Sequence, residues 1–319
     1  MRIVFCGSPP EAAESLRALA EAGHDIAAVV TRPDRPRGRG RKIEPPAVRR
    51  EAEALGLDCR QPENVNDAAF VAELAALRPE LLIVVAFGAI LREPLLALAA
   101  RGAVNLHFSL LPELRGAAPV EWALLRGYAE TGVTTLFMTL EVDAGDILLS
   151  RPVPIGPEET AGELRARLAR VGAGTLVETV RLCETEGALA RRPQDPSRKT
   201  LAPRIKPEHA VIAWERPAWE VHNRVRALNP RPGAVTALGG APLKIWRTAL
   251  VREGGPEGAP GEIVELGPRG PVVCCGEGTV ALREVQEAGR RVLAGEIFAR
   301  GRRLAPGERL GPGPGPGAV

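Results

Sequence analysis

Apolar and polar positions follow two regimes along this chain, one running to about residue 187 and another beginning near residue 210. In the first, apolar runs of strand length alternate with stretches whose apolar residues recur every three or four positions, the pattern of strands interleaved with helices. Residues 2–6 read as a short strand, and Gly7-Ser8-Pro9-Pro10 then turns into a helix, with Ser8 as its cap, proline in its first turn and Gly23 at its end. Residues 25–31 form a second strand and lead into the Pro-, Gly- and Arg-rich stretch 32–46, expected to be a long charged loop without regular structure. Helices are predicted at 47–55 and at 67–77, the latter capped by Asn66, and a buried strand at 81–87. Further strands fall at 104–107, 131–140 and 147–155, and 158–186 reads as a long helix that tolerates Gly172 and Gly174. This alternation predicts an α/β domain with a doubly wound, mostly parallel sheet, over residues 1–187.

The second regime differs. Residues 188–209 hold four prolines and no apolar period, which suits an interdomain linker. Beyond them, 214–228 looks helical, and five short β-like runs at 234–238, 243–250, 261–266, 271–275 and 279–285 are separated by Gly/Pro turns. That spacing predicts a small β-barrel, OB-like in type, over 210–308. The Gly/Pro tail, 309–319, is expected to be disordered.

A length of 319 residues agrees with two domains, and 45% hydrophobic with 25% charged residues excludes a wholly disordered or fibrous chain. No apolar run approaches the roughly 20 residues of a membrane span, so a soluble, cytoplasmic protein is expected, and it is expected to act as a monomer. Five cysteines without CxxC spacing are expected to be reduced, mostly buried thiols. Charge adds more. Residues 32–50 carry eight basic and two acidic side chains, 51–189 carry 11 basic and 20 acidic, and 190–309 carry 21 basic and 13 acidic. An acidic body with a basic insert and a basic second half is the asymmetry expected of a protein that holds a polyanion beside a small-molecule site. Solvated arginine is the alternative for the second half.

The first βα turn reads GSPP rather than GxGxxG, and GxxxxGK[ST] is absent, so a nucleotide-binding Rossmann enzyme is disfavoured. His209 and His222 have no ligand-like partners and read as packed or solvated histidines, and His24, at a helix end after Gly23, is expected to interact with the helix terminus and nothing more. Asn105 and His107 differ. Two apart on a strand, they project from one face beside a Ser-Leu-Leu-Pro turn, where an amide and an imidazole could donate two hydrogen bonds to one oxygen. The alternative is a polar pair that merely finishes a strand. Asp143 and Asp146 follow an apolar strand in a glycine-containing turn, and alone they would read as turn formers.

Taken together, Asn105-x-His107-x-Ser109-Leu110-Leu111-Pro112, Arg115-Gly116-Ala117-Ala118-Pro119 and Asp143-x-Gly145-Asp146 resemble the tetrahydrofolate-dependent formyltransferases. FCGSPP, VVTRPDRPRGRG, VVAFGAIL, RIKPEHAVIAW and RVRALNPRPGA point to the branch whose acceptor is methionine esterified to initiator tRNA. The resemblance covers the chain to about residue 305. It implies a Rossmann-like formyltransferase domain and transfer of formyl from 10-formyltetrahydrofolate to the methionyl α-amine of the charged initiator tRNA, with no metal. His107 would polarise the formyl oxygen and act as general acid, Asn105 would be the second oxyanion donor, and Asp143 would orient His107 and help remove the amine proton. Folate would lie along Phe87, Gly88, Ala89, Ile90 and Leu91 and the turn Ser109, Leu110, Leu111 and Pro112. Arg35, Arg37, Arg39, Arg41 and Lys42 would reach the acceptor end of the tRNA, and the second domain would add phosphate contacts.

The chain departs from the family pattern at three places. Ala213 stands where an aspartate is usual, Phe87 where a tyrosine is usual, and Glu141-Val142 where Gly-Leu is usual. Two rivals remain: a formyltransferase acting on a small amine such as an amino sugar nucleotide, and a non-catalytic RNA-binding protein. The first would not need the basic insert, and the second would not need Asn105, His107 and Asp143.

Overall fold

A computed structural model describes residues 1–37, 42–185, 191–252, 254 and 258–313. The chain forms two compact units. Unit 1 comprises Met1–Pro119, Glu130–Pro154 and Arg165–Pro203; unit 2 comprises Val120–Ala129, Ile155–Leu164 and Arg204–Val319.

In chain order, the first half contains β1 (Arg2–Gly7), α1 (Pro10–Glu21), β2 (Asp25–Val30), β3 (Arg35–Arg37), β4 (Lys42–Glu44), α2 (Ala47–Ala54), β5 (Cys59–Arg60) and α3 (Ala68–Ala76). There follow β6 (Leu81–Val85), α4 (Glu93–Leu96), β7 (Ala103–His107), α5 (Pro119–Leu125), β8 (Glu130–Phe137), β9 (Ile147–Pro154) and α6 (Ala161–Thr185). The main sheet runs β5-β2-β1-β6-β7-β8-β9, with its first five strands parallel and β8 and β9 antiparallel. The sheet is therefore the expected doubly wound, mostly parallel one. Period-two alternation divides its side chains between two faces. Val4, Cys6, Val30, Leu82 and Val84 pack with Phe70 and Leu74 of α3 and Leu95 of α4. On the opposite face α1 lies over β1 and β6, and α2 over β2 and β5.

Helix α6 also covers that opposite face. Thr179 on α6 shares a 2.8 Å hydrogen bond with Thr135 of β8, and a Cβ added at Gly172 would lie 2.9 Å from Leu106 Cδ2. Gly172 thus lets the helix seat on β7 at Leu106. Asn105 and His107, adjacent in sequence to Leu106, are turned to the other face.

Several local expectations are corrected. The 32–46 stretch is not wholly irregular: β3 and β4 pair antiparallel, with Pro36 opposite Ile43. In a two-stranded ribbon both strands are edges, so a proline without an N–H is tolerated. Ser8 does not cap α1, whose N-cap is Pro9. Asp67, not Asn66, caps α3, accepting from the N–H groups of Ala69 and Phe70. Much of the stretch expected as a linker, Arg191 to Pro203, belongs to unit 1. His24 is not confined to its helix end: Nδ1 lies 3.3 Å from Glu184 Oε1, and burial lowers its pKa.

Unit 2 contains α7 (Ala218–Ala227), β10 (Ala234–Leu238), β11 (Ala241–Arg252), β12 (Ile263–Gly267), β13 (Gly270–Cys274), β14 (Thr279–Glu287), β15 (Leu293–Ala294), α8 (Gly295–Arg302) and β16 (Leu310–Pro312). The antiparallel order is β12-β13-β14-β11-β10-β16, with β15 beside β14. A bridge between Glu262 and Arg309, with Leu310 N–H donating to Gly261 O at 2.8 Å, joins the two edges and curls the sheet into a small barrel. Val221, Val225, Leu243, Ile245, Val280 and Phe298 are among its core residues. The helix expected at 214–228 starts later, at Ala218, and Trp214 packs into the core instead. Leu310–Pro312 is ordered as β16, correcting the expected disorder from residue 309; residues 314–319 lie outside the described residues. Cys6, Cys183, Cys274 and Cys275 are buried and Cys59 half-buried, all as free thiols.

Candidate active site

Strand β7 sits between β6 and β8, with Asn105 paired to Val84 on one side and Leu136 on the other. Its C-terminal end therefore opens at the carboxyl end of the parallel strands, where open α/β sheets bind ligands. Both candidate side chains converge there on Asp143, 38 positions from Asn105 in sequence. Asn105 Nδ2 donates to Asp143 Oδ1 at 3.3 Å, and His107 Nδ1 lies 3.5 Å from Asp143 Oδ2. His107 is 5% exposed. Its Nε2 lies 2.9 Å from Leu114 O, and because a carbonyl only accepts, that nitrogen carries a proton.

Asp143 is held by backbone as well as side chain. Its φ is +51, in the left-handed region that aspartate tolerates better than most residues. Gly116 N–H donates to Oδ2 at 2.9 Å. Two residues on, Gly145 is obligatory, since a Cβ there would lie 1.8 Å from Phe137 O. Asp146 closes the turn from the other side, its carbonyl accepting from Phe137 N–H at 2.9 Å, and its carboxylate takes no part in the trio.

The turn after β7 is braced internally. Ser109 Oγ donates to Glu113 O at 2.6 Å, while Thr134 Oγ1 donates to Ser109 O at 2.7 Å and accepts from Leu111 N–H at 3.2 Å. Ser109, Leu111 and Pro112 are buried and Leu110 is half-buried, so these side chains shape the turn. The other expected folate segment is more open. Phe87 and Leu91 are buried anchors, and Gly88, Ala89 and Ile90 between them are exposed. Phe87, in the apolar cluster under α3 and α4, has no need of a phenolic hydroxyl there. Ser8 Oγ reaches Phe87 O at 3.4 Å, and Asn66 grips the far end, donating to Ile90 O at 2.9 Å and accepting from Arg92 N–H at 2.8 Å. Ser8 and Asn66, read from sequence as helix caps, therefore brace this loop.

Residues to which the sequence assigned no individual role complete the site. Arg115, 7% exposed, reaches Glu141 at 3.2 Å and Gln194 through two nitrogens at 3.0 and 2.8 Å. Glu141 also accepts from Lys199 at 2.9 Å, and that hydrogen bond, with the neighbouring positive charges, lowers its pKa. The Glu141 departure is thus matched by two cations. Thr200 Oγ1 accepts from Leu114 N–H at 2.8 Å. Gln194 and Thr200 lie more than 50 residues beyond Asp143, in a segment without periodicity, so no local pattern announces them.

Of the basic insert, Arg35 is exposed at the start of β3, and Arg37 and Lys42 end β3 and begin β4. Arg39 and Arg41 lie outside the described residues. Among the described residues no hydrogen bond joins Arg35 to Asn105, His107 or Asp143. Nor does any group of three or more His, Cys, Asp or Glu among them suit a metal ion, and no described helix is long and apolar enough to cross a membrane.

The formyl transferase family model matches residues 1–180, and the formyl transferase C-terminal domain model matches residues 204–303. The methionyl-tRNA formyltransferase of Moorella thermoacetica is 49% identical over 98% of this chain and 99% of its own length. That of Pelotomaculum thermopropionicum is 45% identical with the same coverage. Among solved structures, HypX from Aquifex aeolicus in complex with tetrahydrofolic acid superposes with a TM-score of 0.61 at 19% identity, covering 94% of this chain and 47% of that one. At that identity the likeness concerns the fold alone.

Proposed function

The chain belongs to the formyl transferase family, and we propose on that premise that Asn105, His107 and Asp143 carry out its chemistry. It transfers the formyl group of 10-formyltetrahydrofolate to the α-amine of methionine on initiator tRNA, the activity named for relatives at 41–49% identity along nearly the whole chain. The supporting observation is the meeting of the three side chains at the carboxyl end of β7.

In this reading the methionyl amine attacks the formyl carbon, the bond from that carbon to the folate nitrogen breaks, and the departing nitrogen takes up a proton. The second amide proton of Asn105 and the Nε2 proton of His107, given up by Leu114 O, donate to the oxygen as it becomes an oxyanion, a role in which one donor is worth about 10²–10³ in rate. His107 gives a ring proton to the leaving nitrogen and regains one from Asp143. Asp143 keeps the imidazole oriented and accepts the proton the amine sheds. The exposed Gly88–Ala89–Ile90 backbone, braced by Asn66, offers N–H and C=O groups to the pterin edge, and the turn at Ser109–Pro112 forms the neighbouring wall.

Unit 1 holds the donor site and unit 2 contributes phosphate contacts. Arg269 and Arg283, exposed in unit 2, border one surface depression, and they make no ion pair among the described residues. The basic hairpin β3–β4 adds contacts near the acceptor end. The protein acts as a monomer in the cytoplasm, the compartment that holds charged tRNA.

The test is transfer of labelled formyl from the folate to charged initiator tRNA, with uncharged tRNA and an amino sugar nucleotide as controls. His107→Ala and Asn105→Ala should each reduce turnover by about 10²–10⁴ with the thermal midpoint retained. Labelling of the sugar amine in preference to the tRNA would replace the acceptor named here. An alanine variant that keeps more than about half of the turnover would remove that residue from the mechanism.

A further inference from the structure

The side-chain amide of Gln194 is saturated, and every partner belongs to the loops that build the active site. Nε2 has two protons, and it donates to Asp143 O at 2.8 Å and Gly145 O at 2.7 Å. Oε1 has two lone pairs, and it accepts from Arg115 Nε at 3.0 Å and Arg115 Nη2 at 2.8 Å. The orientation of the amide is fixed by chemistry, because guanidinium only donates and a carbonyl only accepts.

The segment that carries Gln194 reaches the other partner of the trio too. Thr200 accepts from Leu114 N–H through its hydroxyl, and from Arg115 N–H at 2.9 Å through its carbonyl. Leu114 is the residue whose carbonyl holds His107 Nε2. Arg191 to Pro203 is therefore a strap that touches the support of His107 at one point and that of Asp143 at another. The need for a support is visible in the backbone, since both Leu114 and Asp143 have left-handed φ, +60 and +51.

We propose that Gln194 is a positioning residue for formyl transfer, which fixes the Asp143 loop to Arg115 and thereby sets the Asp143 carboxylate against His107 and Asn105. The inference rests on the catalytic reading of that trio. Gln194 touches no substrate in this scheme and acts only through Asp143. A displacement of about 1 Å at a reacting group can cost about 10²-fold in rate, so losing the clamp should cost turnover rather than donor affinity.

The experiment is a double-mutant cycle on the full chain, using single-turnover formylation of charged initiator tRNA and the KM for 10-formyltetrahydrofolate. Gln194→Met preserves length and volume without the four hydrogen bonds, and should lower kcat by about 10- to 100-fold with the folate KM within about twofold of the parent. Asp143→Asn should lower kcat on its own account. In the double variant the Gln194 change should add less than about a threefold loss, because the group it positions has already been disabled. Should Q194M lose its cooperative thermal transition, Q194E carries the same cycle, since it keeps an acceptor for Arg115 but turns a carboxylate oxygen toward the two carbonyls. Parental kcat in the folded Gln194 variant, or losses that multiply in the double variant as a general destabilisation would make them, overturns the inference. Parental kcat in D143N overturns instead the role of Asp143, and with it the one drawn for Gln194.

Discussion

Gly116 N–H donates to Asp143 Oδ2 at 2.9 Å, and Gly116 can do so because it has no side chain. Its φ is +127, and a Cβ would lie 2.6 Å from Ala202 O, an immovable backbone atom of the strap. The glycine is therefore tied to the catalytic carboxylate on one side and to the 191–203 segment on the other. Gly116→Ala should destabilise unit 1 by about 1–3 kcal/mol and also lower kcat, since relief of the clash moves the N–H away from Asp143. Thermal denaturation beside single-turnover kinetics checks this. A variant with an unchanged midpoint and an unchanged rate would show that the close approach to Ala202 is not maintained.

Asn66 should govern donor affinity rather than chemistry. Its side chain makes two hydrogen bonds to the 90–92 backbone and none to the trio. Asn66→Ala leaves the exposed Gly88–Ile90 segment held only by the buried Phe87 and Leu91 and by the Ser8 bond to Phe87 O. Losing two hydrogen bonds worth about 1 kcal/mol each should raise the Kd of a folate analogue by up to about 30-fold, with kcat at saturating folate changed less than about threefold. Calorimetric titration together with a full kcat and KM determination separates the two effects.

The basic hairpin should matter more for catalysis on tRNA than for its capture. Replacing Arg37, Arg39, Arg41 and Lys42 with Ser removes four charges, a minority of the 42 basic residues, so tRNA affinity should weaken in part and lose some of its salt dependence. The base of the hairpin is fixed to its surroundings, Asp34 accepting from Arg49 at 2.6 Å and from Gln61 at 2.7 Å, so it can hold the acceptor end in one place. Single-turnover formylation at saturating tRNA should fall by about 10-fold or more. A normal rate there, with only the half-saturating tRNA concentration raised, would mean that the hairpin tethers the tRNA without placing its acceptor end.

Glu163 should make stability pH-dependent at the acid end. It closes a capping box at the start of α6, accepting from Thr160 N–H at 2.9 Å while Glu163 N–H donates to Thr160 Oγ1 at 3.3 Å. The Thr160 backbone N–H, then Arg247, hold its carboxyl down at about 2 from an ordinary 4.5. A depressed carboxyl stabilises the folded state fully above about pH 4.5 and loses that contribution as pH falls toward 2. Half the side chain is exposed, so solvent screens the pair with Arg247 and the capping bond carries most of the effect. Glu163→Gln should lower the thermal midpoint by about 1–4 °C at pH 7, and the gap should close between pH 4.5 and 2. A gap that persists unchanged at the acid end would assign the effect to something other than the carboxylate.

The fold was legible where its signals are local. Apolar runs of strand length in β1, β2, β6 and β7 and apolar residues recurring every three or four positions in α1, α2, α3 and α6 are signals held within a few residues, and so is the composition break before unit 2. The errors also have a local cause. Ser8 and Asn66 are good capping residues at helix starts, yet each was drawn to a carbonyl of the 87–91 loop that sequence spacing cannot place beside it. The short helix α8 and strand β16 escaped notice because packing on the barrel and pairing across its edges, rather than intrinsic pattern, hold them in place.

By itself the sequence determined that Asn105 and His107 share a face at the end of a strand, because the alternation of a β-strand requires it, and that a basic insert precedes the acidic body. Only the tertiary structure decided what those two side chains meet. Asp143 arrives from the β8–β9 turn, Gly116 from the segment after the Ser109–Pro112 turn, and Gln194 and Thr200 from a strap 49 to 86 positions away in sequence from the groups they hold. Those contacts join hydrogen-bonding groups far apart along the chain, and burial leaves the groups no water to bond instead, so their pairing is set by how the sheet, turn and strap pack together.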